Sequence, residues 1–178
     1  YEVKKMSDIT IDFSKKLGEI KPVNGVCNGP SKMTAKYFKK ANIPFSRLHD
    51  MRTHFHACCD IPSIFRDFDA DETDPASYDF TFTDLLITAL TEQGVEPFFR
   101  LGVTIENQAK IKAYRIFPPA DYHKWAVICE HVIRHYTEGW ADGFCYDIRY
   151  WEIWNEPDNY EEPHLNQMWR GSKEQYFE

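Results

Sequence analysis

A chain of 178 residues, 43% of them hydrophobic and 16% aromatic, carries enough apolar material for one domain with a sizeable core and is not a disordered chain. The formal net charge of -7, with no basic stripe, argues against nucleic acid and against anionic membrane surfaces as partners. No apolar run approaches the roughly 20 residues that span a bilayer.

The opening YEVKKMSD has neither an initiator Met nor an apolar signal core, and it reads as a processed or trimmed N-terminus. Residues 1–22 are expected to be an N-terminal extension in which Ile9 to Phe13 (ITIDF) alternates like a short strand. A strand–helix rhythm follows. Val23 to Cys27 (VNGVC) predicts a strand, and Ser31 is placed to cap a helix to Ala41 with Met33, Tyr37, Phe38 and Ala41 on one stripe. Ile43 to His49 predicts the second strand. The polar segment from Asp50 to about Tyr78 is too long for an idle connection, so it is expected to carry function or structure of its own. Thr83 to Gln93 predicts a helix with Leu86, Ala89 and Leu90 inward and Gly94 as its stop. Val95 to Val103 predicts the third strand. Asp121 caps a predicted helix to Glu138, with Trp125, Ile128, Cys129, Val132 and Tyr136 inward and Gly139 after it. Tyr150 onward predicts the fourth strand, and WRGSKEQYFE looks like another helix starting.

Strands alternating with helices imply a parallel sheet with covered faces, either doubly wound or half of a (β/α)8 barrel. Asn24-Gly25 and Asn28-Gly29-Pro30 match neither GxGxxG nor a P-loop, which counts against a nucleotide fold. The α/β reading is therefore a (β/α)8 TIM barrel. A whole barrel takes about 250 residues, so 23–178 are expected to supply its N-terminal half, about the first four βα units.

Barrel chemistry sits at the C-terminal ends of strands. There Arg47 and His49 share one side of the second strand with Phe45. On the fourth, YWEIWNEPDNY, the alternation puts Glu152, Trp154 and Glu156 on one side and Trp151 and Ile153 on the other. Glu156 is then expected at the barrel mouth, partly desolvated by Trp154 and other aromatics. Desolvation raises a carboxyl pKa and makes it a usable general acid. Asn155 beside it can hydrogen-bond a sugar hydroxyl without adding charge, and Pro157 ends the strand. The bland alternative is a solvated Glu at an ordinary strand end.

WNEP at this place resembles the acid/base strand of clan A retaining glycoside hydrolases. With RLHD, YDFTFTDLLITALTEQGVEPFFRLG and YWEIWNEPDNYEE around it, the chain resembles glycoside hydrolase family 39, the β-xylosidase and α-L-iduronidase family, from Val23 onward. The resemblance implies Glu156 as acid/base, Asn155 as ligand of the sugar 2-hydroxyl and His49 as a contact in the central subsite. It also implies Arg47 as a buried support and Trp154 as a wall of the site. The nucleophile in this clan is a second Glu on strand seven, outside this sequence; neither Glu152 nor Asp158 is assigned that post. The chain is thus expected to be part of a longer enzyme, inactive alone, with an oligosaccharide or glycoside as substrate and no cofactor. Its open sheet edges predict self-association or pairing with the missing half.

Two rivals remain: a non-catalytic carbohydrate-binding protein, and a metal-binding protein built on His54, His56, Cys58, Cys59 and Asp60 (HFHACCD). That spacing matches no familiar zinc pattern, so no metal is expected. The acidic run Asp67 to Asp74 lacks the Gly and closing Glu of an EF-hand and reads as a solvated loop. His123, His131 and His135 read as surface or satisfied structural histidines. Cys27, Cys58, Cys59, Cys129 and Cys145 form no disulfide framework; reduced, mostly buried thiols favour a reducing, cytoplasmic compartment over secretion.

Overall fold

A computed structural model describes residues 9–29, 34–49, 58–104 and 116–178. Its elements are β1 (Val26–Cys27), α1 (Ala35–Lys40), β2 (Phe45–Leu48), α2 (Ile61–Ile64), α3 (Thr81–Thr91), β3 (Glu96–Leu101), α4 (Tyr122–Thr137), β4 (Tyr150–Ile153) and α5 (Lys173–Tyr176). The four strands pair in the order β1-β2-β3-β4, all parallel. The order never reverses within these strands, so they contain no switch point of the kind a doubly wound sheet uses to bind nucleotides. Parallel βα repeats running in one direction are consistent with part of a (β/α)8 barrel.

The sheet has two unlike faces. Ser46, Leu48, Phe99 and Leu101 alternate onto one face and are buried there with Ile87 and Leu90 of α3 and Val132 and Tyr136 of α4. The other face carries Phe45 and Arg47 of β2, Phe98 and Arg100 of β3, and Tyr150 and Glu152 of β4. The Tyr150 ring stacks on Phe98 at 4.6 Å and meets Phe45 edge-on at 5.5 Å, forming an aromatic layer beneath the charged one.

α4 shows how local chemistry sets an element. The Asp121 side chain accepts the Lys124 backbone N–H at 2.9 Å, satisfying one of the donors orphaned at a helix start. Ile128, Cys129, Val132 and Tyr136 bury its inner face, and Gly139 turns the chain away at φ 76°, a conformation that costs glycine little. His131 and His135 are buried on α4 with partners. His135 Nε2 lies 3.0 Å from Asp84 Oδ1 and its Nδ1 2.8 Å from the Trp140 carbonyl, while His131 Nδ1 meets the Tyr78 hydroxyl at 3.2 Å. His123 is exposed.

Two expectations change. Residues 9–13 form no strand: Ile9, Ile11 and Phe13 are exposed, without the neighbour that an alternating segment needs to become one. Tyr37 is exposed rather than inward on α1, although Phe38 packs on the core as expected; Ser31 and Met33 lie outside the described residues. The polar segment before Tyr78 carries structure of its own, as expected, and is in part core. Cys58, Cys59, Ile61, Ile64, Phe65 and Tyr78 all belong to the main apolar cluster, a hydrophobic minority hidden among Asp and Arg. Trp140 and Tyr146 pack against the same cluster.

Candidate active site

The polar face of the sheet converges at the C-terminal ends of β2 and β4. Arg47 donates from Nε to Glu152 Oε2 and from Nη2 to Glu152 Oε1, each at 2.6 Å. This two-point ion pair holds the Arg47 guanidinium above its ordinary pKa, the hydrogen bonds to Glu152 outweighing partial burial. The same Nη2 donates to Asn155 Oδ1 at 2.7 Å. A guanidinium is donor-only, so the Asn155 oxygen must face it. The Asn155 amide nitrogen is thereby turned the other way, buried and without a hydrogen-bond partner among the described residues.

The strand alternation does not continue to Glu156. β4 ends at Ile153, and Trp154 then adopts φ 64° and Glu156 φ 42°, left-handed values uncommon for side-chain-bearing residues. Strained backbone of this kind persists where the surroundings over-determine it. Here Trp154 N–H donates to the Leu101 carbonyl at 2.8 Å and its indole Nε1 to the Met168 carbonyl at 2.8 Å. Its ring is buried with Val103, Ile116, Met168 and Trp169 and lies against Trp125 of α4. Gly102 makes room for it, since a Cβ there would stand 3.0 Å from the Trp154 ring. Trp154 is therefore a core anchor of the strand end and leaves Glu156 without the aromatic wall expected of it. Glu156 is exposed, with Oε2 accepting from Asn159 Nδ2 at 3.0 Å. The expected desolvation of Glu156 is corrected on the same grounds.

His49, half-buried at the end of β2, is held by its backbone. Its N–H donates to Asn28 Oδ1 at 3.1 Å and its carbonyl accepts from Arg100 Nη2 at 3.3 Å. Beside it Arg100 Nη2 pairs with Asp60 Oδ1 at 2.6 Å, both side chains fully buried. Sequence reasoning missed Arg100, although an arginine inside the apolar run FFRLG was a signal. It missed Asn166 as well. That buried amide donates to the Pro157 carbonyl at 2.8 Å and accepts the Met168 and Trp169 N–H groups, organising the loop after Asn155-Glu156.

Of the HFHACCD cluster, His54 and His56 lie outside the described residues. Asp60 spends its carboxylate on Arg100 and on the Thr104 N–H, and among the described residues no group of three or more His, Cys, Asp or Glu could hold a metal ion. The five cysteines are free, with Cys58, Cys59 and Cys129 buried. In the acidic run the Asp67, Asp71 and Asp74 side chains accept backbone N–H groups two residues on, as in solvated turns. Among the described residues no helix is long and apolar enough to cross a membrane.

The family model described as Glycosyl hydrolases family 39 matches residues 8–178. The chain belongs to glycoside hydrolase family 39. This family 39 chain is 27% identical over 190 aligned residues to a beta-xylosidase of Caldicellulosiruptor saccharolyticus, covering 99% of the chain and 36% of that relative. It is 26% identical over 123 residues to a beta-xylosidase of Geobacillus stearothermophilus, covering 64% of the chain and 23% of that relative. A crystal structure of a glucosidase from Croceicoccus marinus superposes with a TM-score of 0.71 at 23% identity, over 92% of the family 39 chain and 33% of the other. That likeness concerns the fold. The chain thus spans about a third of the length of the first of these relatives and of the solved structure.

Proposed function

We propose that this family 39 chain supplies the acid/base half of a retaining, β-xylosidase-like glycoside hydrolase, as about four βα units of a (β/α)8 barrel. The observation that carries this reading is the Arg47 fork. One guanidinium fixes Glu152 and Asn155 together, and so turns the amide nitrogen of Asn155, the residue before Glu156, away from itself with no acceptor among the described residues. An N–H without a protein acceptor beside a carboxylate suits a sugar hydroxyl next to a glycosidic oxygen.

In this reading Glu156 protonates the leaving oxygen and later takes a proton from the attacking water. Asn155 binds the 2-hydroxyl, His49 contacts the sugar, and Arg47 supports both. Trp154 acts from the core, fixing the backbone turn that aims Asn155 and Glu156. The nucleophile is a carboxylate from outside this sequence, placed about 5–5.5 Å from Glu156 in the assembled site. Glu152 is unsuited to that post, since Arg47 engages both of its oxygens. β4 pairs only with β3 among the described residues, so we also propose that the chain self-associates or pairs with the remainder of a barrel along that edge.

The test is hydrolysis of a panel of nitrophenyl glycosides, by the chain alone and together with the rest of its barrel, each beside Glu156→Gln. Turnover is expected only in the assembled form. Glu156→Gln is expected to lower kcat/KM by about 10²–10⁴-fold, and most for substrates with poor leaving groups. Unchanged activity in Glu156→Gln would remove the assignment. Saturable sugar binding without turnover in the assembled form would replace the enzyme by a carbohydrate-binding protein.

A further inference from the structure

Arg100 and Asp60 are both fully buried, with 2.6 Å between Nη2 and Oδ1. Apolar residues of similar volume often serve stability as well as such a pair does, so neutralisation alone does not account for it. What the pair touches is more informative. Arg100 Nη2 donates to the His49 carbonyl at 3.3 Å, at the end of β2. Asp60 Oδ2 accepts the Thr104 N–H at 3.0 Å, in the loop after β3, and Asp60 itself opens α2, whose Ile61 N–H donates to the Gly102 carbonyl at 3.0 Å. Arg100 Nε and Nη1 are buried without a hydrogen-bond partner among the described residues. The guanidinium is therefore not placed to satisfy its own donors; it is placed where one nitrogen reaches both a carboxylate and the peptide of His49. From the other side Asn28 Oδ1 accepts the His49 N–H at 3.1 Å.

We infer that Arg100, locked by Asp60, is a positioning residue that sets where His49 presents its ring to the sugar. The inference rests on the glycosidase reading above. With Asn28 it grips the His49 peptide at both N–H and carbonyl, so the imidazole leaves the strand end from a fixed point. A displacement of about 1 Å at such a contact can cost on the order of 10²-fold in rate.

The variant pair Arg100→Met with Asp60→Asn removes both charges, keeps an acceptor for the Thr104 N–H and deletes the bond to the His49 carbonyl. Arg100→Lys is the second variant should the first not fold. It keeps a cation for Asp60, but its ammonium ends a shorter stem and falls short of the Nη2 position that reaches the His49 carbonyl. Two readouts are taken: the imidazole ¹⁵N–¹H spectrum, with the His49 signals identified by their loss in His49→Gln, and kcat and KM on a nitrophenyl xyloside for the chain assembled with the rest of its barrel. In the folded variant the His49 signals are expected to shift. kcat/KM is expected to fall roughly tenfold or more, chiefly through KM, with an unchanged pH profile. His49 signals that coincide with those of the parent protein in a folded variant overturn the inference, as does an activity loss that merely tracks the folded fraction. If the parent assembled with the rest of its barrel hydrolyses no glycoside, the glycosidase reading falls, while the His49 spectrum still decides whether Arg100 positions that residue.

Discussion

The two faces of one four-stranded sheet differ in kind. On the covered face Leu48, Phe99 and Leu101 meet Ile87, Leu90, Val132 and Tyr136, and His135 and Tyr136 are hydrogen-bonded to Asp84. On the other face the same strands present Arg47, Arg100 and Glu152, and buried donors stand unpaired at Arg100 and Asn155. Unpaired buried donors are costly, and a fold keeps them where they have another use. Stability should therefore be concentrated on the first face and sugar chemistry on the second. Substitutions that move the two quantities together would break that division.

The largest expected effect is on the covered face. Phe99 is fully buried, with ring contacts to Tyr136 at 5.8 Å and Trp151 at 5.2 Å. Phe99→Ala should destabilise by about 3–5 kcal/mol, read as a drop in urea midpoint, because the cavity is walled by two elements and a neighbouring strand that cannot close on it. A loss under about 1 kcal/mol would mean that this face is not the seat of stability.

Alkaline pH should act on the same face. Burial pushes the Cys129 thiol and the Tyr136 phenol well above their ordinary values, and the Asp84 carboxylate beside Tyr136 adds to its shift. The unfolded chain releases these protons near pH 8.5 and pH 10 respectively, while the folded chain keeps them. The folded state then binds more protons, so stability is intact below about pH 8.5 and falls as pH rises, by up to about 1.4 kcal/mol per pH unit for each group. Denaturation midpoints between pH 7 and 11 check this. Cys129→Ala should delay the onset of the decline, and an onset that does not move would assign it to other groups.

The covered face was also the legible one. α4 was readable from Asp121, a 3.6-residue stripe and Gly139, and the structure returns it almost to the residue, because cap, period and stop are local signals. The parallel order followed from the strand–helix rhythm. On the polar face the alternation of β2 put Phe45 and Arg47 on one side, and the structure brings Arg47 from that side to Glu152 and Asn155. Trp154 was misplaced, because alternation holds only while the backbone stays extended. Its φ of 64° is imposed by Leu101, Met168 and Gly102, partners brought together only by the fold. Arg100 was overlooked because its meaning depends on Asp60, 40 residues away in sequence. Ile9 to Phe13 had the right period and no neighbour.

A smaller effect tests whether the helix layer is held by local or tertiary terms. Asp121→Ala removes the side-chain acceptor of the Lys124 N–H at the start of α4 and should cost about 1 kcal/mol, with Asp121→Asn recovering most of it. Thermal melts of the three proteins check this. Equal melting temperatures would place the stability of α4 wholly in its buried stripe.

The smallest expected change in stability sharpens the comparison most. The Arg47 and Glu152 side chains are 30% and 26% exposed, so their ion pair is partly screened and should be worth about 1 kcal/mol or less. Arg47→Lys keeps the charge and should leave the urea midpoint nearly unchanged. A lysine ammonium cannot reproduce the planar fork that meets both Glu152 oxygens and Asn155 Oδ1 at once. The Asn155 amide then loses the contact that dictates which end faces Arg47, and its donor no longer points reliably at the sugar. We expect kcat/KM to fall by roughly tenfold or more, with stability within about 1 kcal/mol of the parent. A destabilisation as large as that of Phe99→Ala would show the polar face to be structural after all. An Arg47→Lys protein with full activity would show that Asn155 is oriented by something other than Arg47.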